Sequence, residues 1–538
     1  FLPNFRLGDL VYLYSYAPEE EPDVRKSLLF KGNIIKLHTN SITIKTVNPI
    51  PNEGTMWAIE HSGSDIGGTS AIRSLHQFIT SAPKCRQLLL AQRAPERDLT
   101  LQLTQSYHPT YDPLLLKAFQ AKDYFLLVGP PGTGKTSMAL QYMVREALAK
   151  GESILLMSYT NRAVDEICGM LSDNAIDYIR IGNEYSCDER YRSHLLSEYI
   201  ENNPKLTAIR ERIMGTRVIV GTTSTLQSKS YLFELKSFSM AIIDEASQIL
   251  EPNLVGLLSK LPKFILIGDH KQLPAVVQQE VNDSAVHDKR LHDIKLTNCR
   301  NSLFERLIRV EEAAKRTDFV GVLRVQGRMH PAVAAFPNRM FYFKECLKPV
   351  PLSHQKETRL HYELPSQDTL DDALKAHRML FIPSKTCHHS QLSDKVNPDE
   401  AHIVAILLGR IYRFYGNSFD ADKTIGVIVP YRNQIAMIRK EIEKLGIKAL
   451  EKISIDTVER YQGSQRDVII YSFTVQHRYQ LDFLTANCFE ENGHIIDRKL
   501  NVAVTRARKQ MIITGNEMVL NQDPIFKELI ASCELGHL

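Results

Sequence analysis

The sequence has no C-x-x-C pair, although it contains eight cysteines, at positions 85, 168, 187, 299, 346, 387, 488 and 533. Metal-binding cysteines usually come in such pairs, so neither a zinc site nor an iron–sulfur site is expected. Dispersed cysteines are typical of a reducing compartment. Cys387, His388 and His389 form a candidate metal cluster, but they lie in a polar stretch without a partner pair, which favours an ordinary loop.

The sequence also lacks a run of about twenty apolar residues and a signal-peptide pattern at its start. We therefore expect no membrane partner and an intracellular location, either cytoplasmic or nuclear. The formal net charge is only +4, which is too small by itself to indicate a nucleic-acid partner. Hydrophobic residues make up 43% of the chain and charged residues 24%, as in ordinary globular proteins. Because the chain begins at Phe1 rather than Met, we expect a fragment.

A phosphate-binding loop is the clearest motif that is present. An apolar run at 124–128 leads into GPPGTGKT at 129–136, and residues 138–148 follow with apolar side chains at helical spacing. A strand, a glycine-rich loop and a helix bind phosphate through inward-turned backbone N–H groups and the positive end of the helix. Lys135 is placed to reach the β- and γ-phosphates, and the Thr136 hydroxyl is placed to bind Mg²⁺. The alternative is a glycine-rich turn without a ligand.

Adjacent carboxylates, Asp244 and Glu245, follow the apolar residues 240–243. Beside a phosphate-binding loop, the first can hold Mg²⁺ and the second can deprotonate an attacking water. The pair therefore indicates nucleotide hydrolysis, with a helix cap as the alternative. Gln272, in GDHKQLP at 268–274, follows another apolar run and could sense the γ-phosphate, with a strand-end turn as the alternative.

Arginines in the second half of the chain form a further group: Arg328, Arg506 and Arg508. Planar guanidinium groups suit the charge that develops on a transferring phosphoryl group. If a second domain supplies them, hydrolysis depends on closure of a cleft between domains. The alternative for each arginine is a surface ion pair.

The strand and helix patterns predict an α/β fold with two units. Strands are expected near 124–128, 153–158, 217–221, 240–244 and 263–267 in residues 106–318, and near 425–429, 467–473 and 510–515 in residues 319–538. Residues 1–65 read as a small β-module with a hairpin around residues 38–41. Residues 66–105 read as a helical stalk, with an apolar stripe that we expect to be packed: Ile72, Leu75, Phe78 and Ile79.

These blocks resemble, in order and spacing, the motifs of superfamily 1 helicases. The similarity is to the subfamily of the nonsense-mediated-decay RNA helicase and the replication helicase-nuclease. The matching blocks are GPPGTGKT (129–136), SYTNRAVDEI (158–167), VGTTSTL (220–226), IIDEASQ (242–248), GDHKQLP (268–274), SLFERL (302–307), GRMHP (327–331), IGVIVPYRNQ (425–434), DTVERYQGSQRDVIIYS (456–472) and LNVAVTRAR (500–508). The resemblance implies two RecA-like P-loop NTPase domains with parallel sheets, at 106–318 and 319–538. It also implies a β-barrel-like module at 1–65 and a helical stalk at 66–105.

The resemblance further implies a nucleic-acid-dependent ATPase and helicase that uses ATP and Mg²⁺. It would move along single-stranded DNA or RNA, in this subfamily usually 5′ to 3′, as a monomer. A nuclease domain upstream of Phe1, as in some relatives, is a further expectation. Two alternatives stay open: an ATP-driven nucleoprotein remodeller that does not unwind, and a nucleotide-gated binding module with little turnover.

Site residues follow from the matched motifs as expectations. The catalytic set is Lys135, Asp244, Glu245, Gln272, Arg328 and Arg506, and the metal ligands are Thr136 and Asp244. The nucleotide-binding set is Gly129, Pro130, Pro131, Gly132, Thr133, Gly134, Lys135, Thr136, Ser137, Gln272, Arg328, Gly463, Gln465 and Arg506. Hydroxyl and amide side chains suit sequence-independent contacts with a strand backbone, and the residues expected there are Thr160, Asn161, Thr222, Thr223, Pro274 and Thr457.

Three departures from the family pattern lie at the nucleoside end of the site. Asp112 stands where relatives have an adenine-reading glutamine, Gly327 where they have a base-stacking aromatic residue, and Gln465 where they have a glutamate. Gln105 lies seven residues upstream of the first of these positions. We therefore expect base selectivity to be relaxed or rebuilt from other side chains. The alternative is that a local residue such as Tyr111 or Phe119 replaces the lost contacts.

Overall fold

The computed structural model describes Phe5 and residues 8–38, 41–46, 48–50, 56–62, 66–277, 279–360, 362, 364–386 and 393–537. The candidate cluster at 387–389 lies outside these residues, as do residues 39 and 40 of the expected hairpin turn. Within the described part of the chain, no helix has both the length and the apolar character needed to cross a membrane.

The N-terminal module is a four-stranded antiparallel sheet with the order β3-β2-β1-β4. Among its described residues, the fully buried side chains are Val11, Tyr14 and Ile34. Among the described residues the sheet is open, with β3 and β4 at its edges, and the predicted hairpin is the β2–β3 pair. The strands are β1 (Leu10–Tyr16), β2 (Phe30–Leu37), β3 (Ile42–Thr46) and β4 (Met56–His61).

The stalk consists of α1 (Ile66–Ile79) and α2 (Pro83–Leu89), and α1 packs against the first α/β domain through small residues. The Gly256 N–H donates to the Ser74 hydroxyl at 2.8 Å, and a Cβ at Gly256 would lie 2.6 Å from the Ser74 Cα. Because the helix approaches the first domain so closely at these small residues, α1 turns its Ser74 face towards that domain and not its apolar stripe. Phe78 does pack against the core of the first domain. The expectation of packing is wrong for the rest of the stripe, which is exposed: Ile72, Leu75 and Ile79.

The first α/β domain is built on a seven-stranded parallel sheet with the order β11-β5-β10-β9-β6-β8-β7. Its strands are β5 (Tyr124–Val128), β6 (Ile154–Ser158), β7 (Ile179–Ile181), β8 (Val218–Thr222), β9 (Met240–Ile243), β10 (Phe264–Gly268) and β11 (Val320–Val322). The five predicted strands are present, because strands buried on both faces are continuous apolar runs. The three-residue strands β7 and β11 were too short to predict. Strand β11 follows the boundary expected at residue 318, yet it pairs with β5.

Every residue of β5, β6, β8, β9 and β10 is buried, so both faces of this sheet are covered, as expected for a parallel sheet. The helices of the first domain are α3 (Asp112–Gln120), α4 (Gln141–Ala149), α5 (Asn161–Asp173), α6 (Leu196–Asn202), α7 (Leu206–Gly215), α8 (Thr223–Ser228), α9 (Leu232–Leu235), α10 (Val255–Leu258), α11 (Lys289–Asp293) and α12 (Leu303–Ala313). A π-helical turn, Lys135–Leu140, joins the glycine-rich loop to α4.

The second α/β domain is built on a six-stranded parallel sheet with the order β16-β15-β17-β20-β14-β21. Its strands are β14 (Met379–Pro383), β15 (Ile425–Val429), β16 (Ser454–Thr457), β17 (Arg466–Ser472), β20 (Ala507–Gly515) and β21 (Glu534–Leu535). Two small two-stranded sheets lie beside it: β12 (Val325–Gln326) with β13 (Lys348–Pro349), and β18 (Cys488–Glu491) with β19 (His494–Asp497). The predicted α/β fold with two parallel sheets, one of which carries the phosphate loop, is confirmed.

The helices of the second domain are α13 (Pro331–Met340), α14 (Ser353–Lys356), α15 (Thr369–Ala376), α16 (Pro398–Tyr415), α17 (Arg432–Leu445), α18 (Lys448–Glu451), α19 (Val458–Tyr461), α20 (Gln480–Leu484), α21 (Arg498–Val504), α22 (Glu517–Leu520) and α23 (Pro524–Ala531).

Candidate nucleotide site and strand cavity

The glycine-rich loop leaves the carboxyl end of β5 and turns sharply at two glycines. Gly132 and Gly134 have φ values of +74° and +73°, a conformation that residues with a side chain rarely adopt. Inside the turn, the Thr133 hydroxyl donates to the Pro130 carbonyl at 2.7 Å, and the Tyr111 hydroxyl donates to the Thr133 carbonyl at 2.9 Å. The loop is therefore held in shape by its own residues and by Tyr111, which immediately precedes α3.

Lys135 pairs with one of the predicted carboxylates. Its Nζ lies 2.8 Å from Glu245 Oε1, and both side chains are mostly buried. Burial works against the charge of Lys135, but the carboxylates of Glu245 and Asp244 outweigh it and raise the pKa of the ammonium group. Glu245 has a left-handed φ of +53°, which turns its side chain from the end of β9 towards the loop. Gln248, one turn later, donates to Glu245 Oε2 at 3.2 Å and fixes the other oxygen.

The two predicted metal ligands are in direct contact. The Thr136 hydroxyl donates to Asp244 Oδ2 at 2.5 Å, and the Glu245 N–H donates to Asp244 Oδ1 at 2.9 Å. Burial and the neighbouring charge of Glu245 raise the pKa of Asp244 to about 6. A hydroxyl and a buried carboxylate beside a phosphate loop are the oxygen donors that Mg²⁺ prefers, so these residues fit that ion.

Two arginines of the second domain contact the first domain, one at the glycine-rich loop and the other at Gln272. The Gly327 N–H donates to the Gly132 carbonyl at 2.8 Å, which brings Arg328 against the loop, and a Cβ at Gly132 would lie 2.4 Å from Arg328 Cβ. Arg506 is almost completely buried and donates to Gln272 Oε1 at 2.8 Å. Burial lowers the pKa of Arg328 to about 10, and burial with the nearby Arg328 charge lowers that of Arg506 to about 9. An anion bound near these two guanidinium groups would raise their pKa values back towards the ordinary value for arginine.

The third arginine plays a different part. Arg508 Nη1 lies 2.8 Å from Asp467 Oδ1 within the second domain, so the ion-pair alternative describes Arg508. Its carbonyl accepts a hydrogen bond from the His330 N–H at 2.7 Å, which links β20 to the block that carries Arg328.

The loop after β10 connects the predicted sensor to the second domain. Asp269 accepts hydrogen bonds from Gln272 Nε2 at 2.9 Å and from the Tyr342 hydroxyl at 2.6 Å. Lys271, which is fully buried, pairs with Glu345 at 2.9 Å and with Glu491 at 2.8 Å. Gln272 is thus held between Arg506 and Asp269. The loop that carries Gln272 is itself bonded to the second domain through Lys271.

At the expected nucleoside end of the site, Asp112 and Gln465 are already hydrogen-bonded to protein groups. Asp112 accepts hydrogen bonds from the Ser106 hydroxyl and from the N–H groups of Tyr107 and His108, so it closes its own turn. Gln465 accepts a hydrogen bond from Arg328 Nε at 3.0 Å. Of the residues offered as replacements, Phe119 is buried in the core, whereas Tyr111 is partly exposed and touches the loop.

A cavity of about 1670 Å³ lies between the two domains and the N-terminal module, and it contains most of the residues expected to contact a strand. Thr160, Asn161, Thr222 and Pro274 line it, whereas Thr223 and Thr457 are buried and do not. The hydroxyls of Thr160 and Thr222 also cap α5 and α8, at 3.2 Å from the N–H groups of Ala163 and Thr225.

The N-terminal module reaches the same cavity. Gly8 and Asp9 line it, and Lys45 donates to the Tyr185 hydroxyl of the first domain at 2.7 Å.

The remaining predicted residues surround the loop or the cavity. Gly129 donates its N–H to the Gly268 carbonyl at 2.9 Å, Pro131 is buried, Ser137 is exposed at the start of the π-helical turn, and Gly463 lines the cavity. Sequence reasoning missed the supporting contacts of Gln248, Asp269 and Tyr342. The first two lie inside matched motifs and were open to prediction, whereas nothing in the sequence pointed to Tyr342.

Family models and known proteins match most of this chain. A family model described as an AAA domain matches residues 299–518, and another with the same description matches 112–212 and 205–280. The chain is 29% identical over 466 residues to the DNA replication ATP-dependent helicase/nuclease DNA2 of Xenopus laevis, covering 84% of this chain and 41% of that protein. It is 25% identical over 543 residues to the Homo sapiens protein of the same name, covering 93% of this chain and 47% of that one. The chain thus spans less than half the length of these relatives.

A solved structure, an arterivirus nonstructural protein 10 helicase with DNA, matches with 15% identity and a TM-score of 0.37, over 76% of this chain and 63% of that one. Two parallel α/β domains, with a phosphate loop on one and Arg328 of the other packed against that loop, define a P-loop NTPase of paired RecA-like domains. The motifs and the matching family models narrow the class further. The chain belongs to the superfamily 1 helicases, in the subfamily of the nonsense-mediated-decay RNA helicase and the replication helicase-nuclease.

Proposed function

We propose that this chain is a nucleic-acid-dependent ATPase that translocates along a single strand, 5′ to 3′, and unwinds duplexes. The observation that carries the proposal is the contact between the domains at the phosphate loop. Arg506 reaches Gln272 across the cleft at 2.8 Å, and Gly327 binds the loop backbone beside Arg328. A nucleotide that binds this loop would therefore be enclosed by both domains, and its hydrolysis would change how they are held together.

In this mechanism, the γ-phosphate of ATP attracts Lys135, which then releases Glu245 from their ion pair. The free carboxylate accepts a proton from the attacking water, and Gln248 keeps it oriented. Arg328 and Arg506 compensate the charge that spreads over the phosphoryl oxygens. Thr136 and Asp244 would hold Mg²⁺, which neutralises charge on the β- and γ-phosphates when it is bound.

The cavity is the proposed path of the strand. Polar side chains line it on the first domain, and Gly8 and Asp9 of the N-terminal module line it as well, where the module would hold or separate a duplex. The same proposal includes action as a monomer inside the cell. The relatives named above are helicase/nucleases that act in DNA replication, which favours DNA over RNA as the strand.

The test is the rate of ATP hydrolysis with single-stranded DNA and single-stranded RNA, measured side by side, followed by a strand-displacement assay. We expect stimulation by at least one strand together with unwinding. Stimulation without unwinding would favour the remodeller instead, and hydrolysis that no strand stimulates would overturn the proposal.

A further inference from the structure

One ion pair in the lining of the strand cavity is not used by the mechanism above. The cavity is lined by Thr160 and Asn161, which are expected to contact the strand, and also by Glu245. Arg162 and Glu166 stand one turn apart on α5, with Arg162 Nε 3.7 Å from Glu166 Oε1. Both also line the cavity, so a strand phosphate bound there would meet the arginine of this pair.

Glu166 faces Gly463, a residue of the second domain that has no side chain. A Cβ placed on Gly463 would lie 3.5 Å from Glu166 Oε1 and 3.9 Å from Arg162 Nε. Gly463 has a φ of +83°, so another residue would be strained there as well as crowding the pair. The carboxylate therefore stands directly against the block of the second domain at 456–472, in which Gln465 follows Gly463 by two residues.

Charge connects Glu166 to the arginine at the phosphate loop. Burial lowers the pKa of Arg328, and Glu166 is the strongest of the carboxylates that oppose this shift. Arg328 has otherwise only neutral acceptors, Gln465 Oε1 at 3.0 Å and the Thr505 carbonyl at 3.3 Å, among the described residues. A change in the partner of Glu166 therefore changes how strongly Arg328 is drawn towards the first domain.

We propose that Arg162 and Glu166 form the link through which a bound strand accelerates ATP hydrolysis. Without a strand, Arg162 neutralises Glu166. A strand phosphate takes Arg162, and the freed carboxylate then attracts Arg328 and holds the second domain closed over the nucleotide. Glu166 is proposed as a positioning residue, since it acts through Arg328 and not on the reacting atoms. This inference rests on the proposed function and deepens it.

The test compares Glu166→Gln, Arg162→Gln and the double variant, with ATP hydrolysis measured with and without saturating oligothymidylate. Glu166→Gln should lower the stimulation factor by about tenfold, since the attraction for Arg328 is lost. Arg162→Gln should raise the strand-free rate by about fivefold, because Glu166 is then always unpaired, and should weaken strand binding. The double variant should lose the high strand-free rate, an outcome that a merely structural role would not produce.

Arg290→Gln is the matched control, because it breaks an exposed arginine–carboxylate pair with Asp288 away from the cavity lining. It should leave both rates as in the unmodified chain. A stimulation factor that Glu166→Gln leaves within about twofold of the unmodified value would overturn the inference. Absence of stimulation in the unmodified chain would instead overturn the proposed function, and the strand-free rate of Arg162→Gln would still decide whether the link exists.

Discussion

At the carboxyl edge of the first sheet, strands end in the phosphate loop, in Asp244 and Glu245, and in the loop that carries Gln272. At the same edge of the second sheet, β17 ends at Ser472 and β14 leads into Ser384, and both hydroxyls donate to one carboxyl group, that of Glu400. The Thr474 N–H donates to the same group at 2.9 Å. The carboxyl edge of a parallel sheet is where such folds place ligands. In the first domain this edge carries the proposed phosphate site, whereas in the second domain the buried side chain of Glu400 occupies it.

Removing the phosphate-binding charge should produce the largest effect and would sharpen this contrast. We expect Lys135→Ala to lower the rate of ATP hydrolysis by about a thousandfold, because nothing else in the loop compensates the γ-phosphate charge. Lys423→Ala, at an exposed lysine of the second domain, is the control and should hydrolyse ATP normally. Near-normal turnover by Lys135→Ala would remove the loop from its proposed role.

Replacing Glu245, the proposed general base, should have a more selective effect, because it should slow hydrolysis without weakening ATP binding. We expect Glu245→Gln to bind ATP as the unmodified chain does while hydrolysing it at least about a hundredfold more slowly, since an amide cannot accept the proton of the attacking water. Equilibrium binding of a labelled nucleotide and single-turnover hydrolysis measure the two properties. Rapid hydrolysis by this variant would assign the proton to another group.

Arg506 and Arg508 test whether the second domain contributes to the first domain's site. Arg506→Ala should lower the rate of ATP hydrolysis by about a hundredfold, because the buried guanidinium group contacts Gln272, the proposed γ-phosphate sensor, in the loop after β10. Arg508→Ala removes an ion pair with Asp467 and should lower the free energy of unfolding by about 1 kcal/mol or less, with hydrolysis retained. Equal losses of hydrolysis in both variants would contradict this division.

Selectivity for the base should be weak, in contrast to the tightly organised phosphate end. We expect kcat/KM values for ATP, GTP, CTP and UTP to lie within about tenfold of one another, because a site discriminates strongly only where it binds the groups that differ. Asp112 and Gln465 are already hydrogen-bonded to protein groups. A preference for ATP by several orders of magnitude would show that a residue such as Tyr111 has replaced the lost contacts.

The sequence predicted the features that follow a local or periodic pattern, such as strands and motifs. It did not predict the contacts between segments that are far apart in the chain. Buried strands were recognisable as apolar runs, and the matched motifs named the residues that meet at the phosphate loop. The orientation of α1 was mispredicted because periodicity finds the apolar stripe but not the small residues, Ser74 and Gly256, that allow close packing. The Asp269–Tyr342 bond and the contact of Glu166 with Gly463 join segments far apart in the chain, and no local pattern records them.

The smallest effect concerns the filled edge of the second sheet, where Glu400 should affect stability rather than hydrolysis. Burial raises the pKa of Glu400 from 4.5 to about 8, although hydrogen bonds from Thr474, Ser472 and Ser384 act in the opposite direction. Between these two pH values the folded chain holds a proton that the unfolded chain has released. The free energy of unfolding should therefore decrease as the pH rises from about 4.5 to about 8.

Glu400→Gln should remove this part of the pH dependence, because the amide stays neutral and can still bond all three partners of the carboxyl group. We expect the Tm of the variant to exceed that of the unmodified chain above pH 8 and to match it near pH 5, with strand-stimulated hydrolysis retained. Other buried acids, such as Asp497, are common to both proteins, so the difference between the two Tm profiles isolates Glu400. Parallel profiles across this range would mean that the carboxyl group is ionised in the folded state. In that case the edge of the second sheet would carry a buried charge, as the first does, and the contrast between the two edges would rest on the phosphate loop alone.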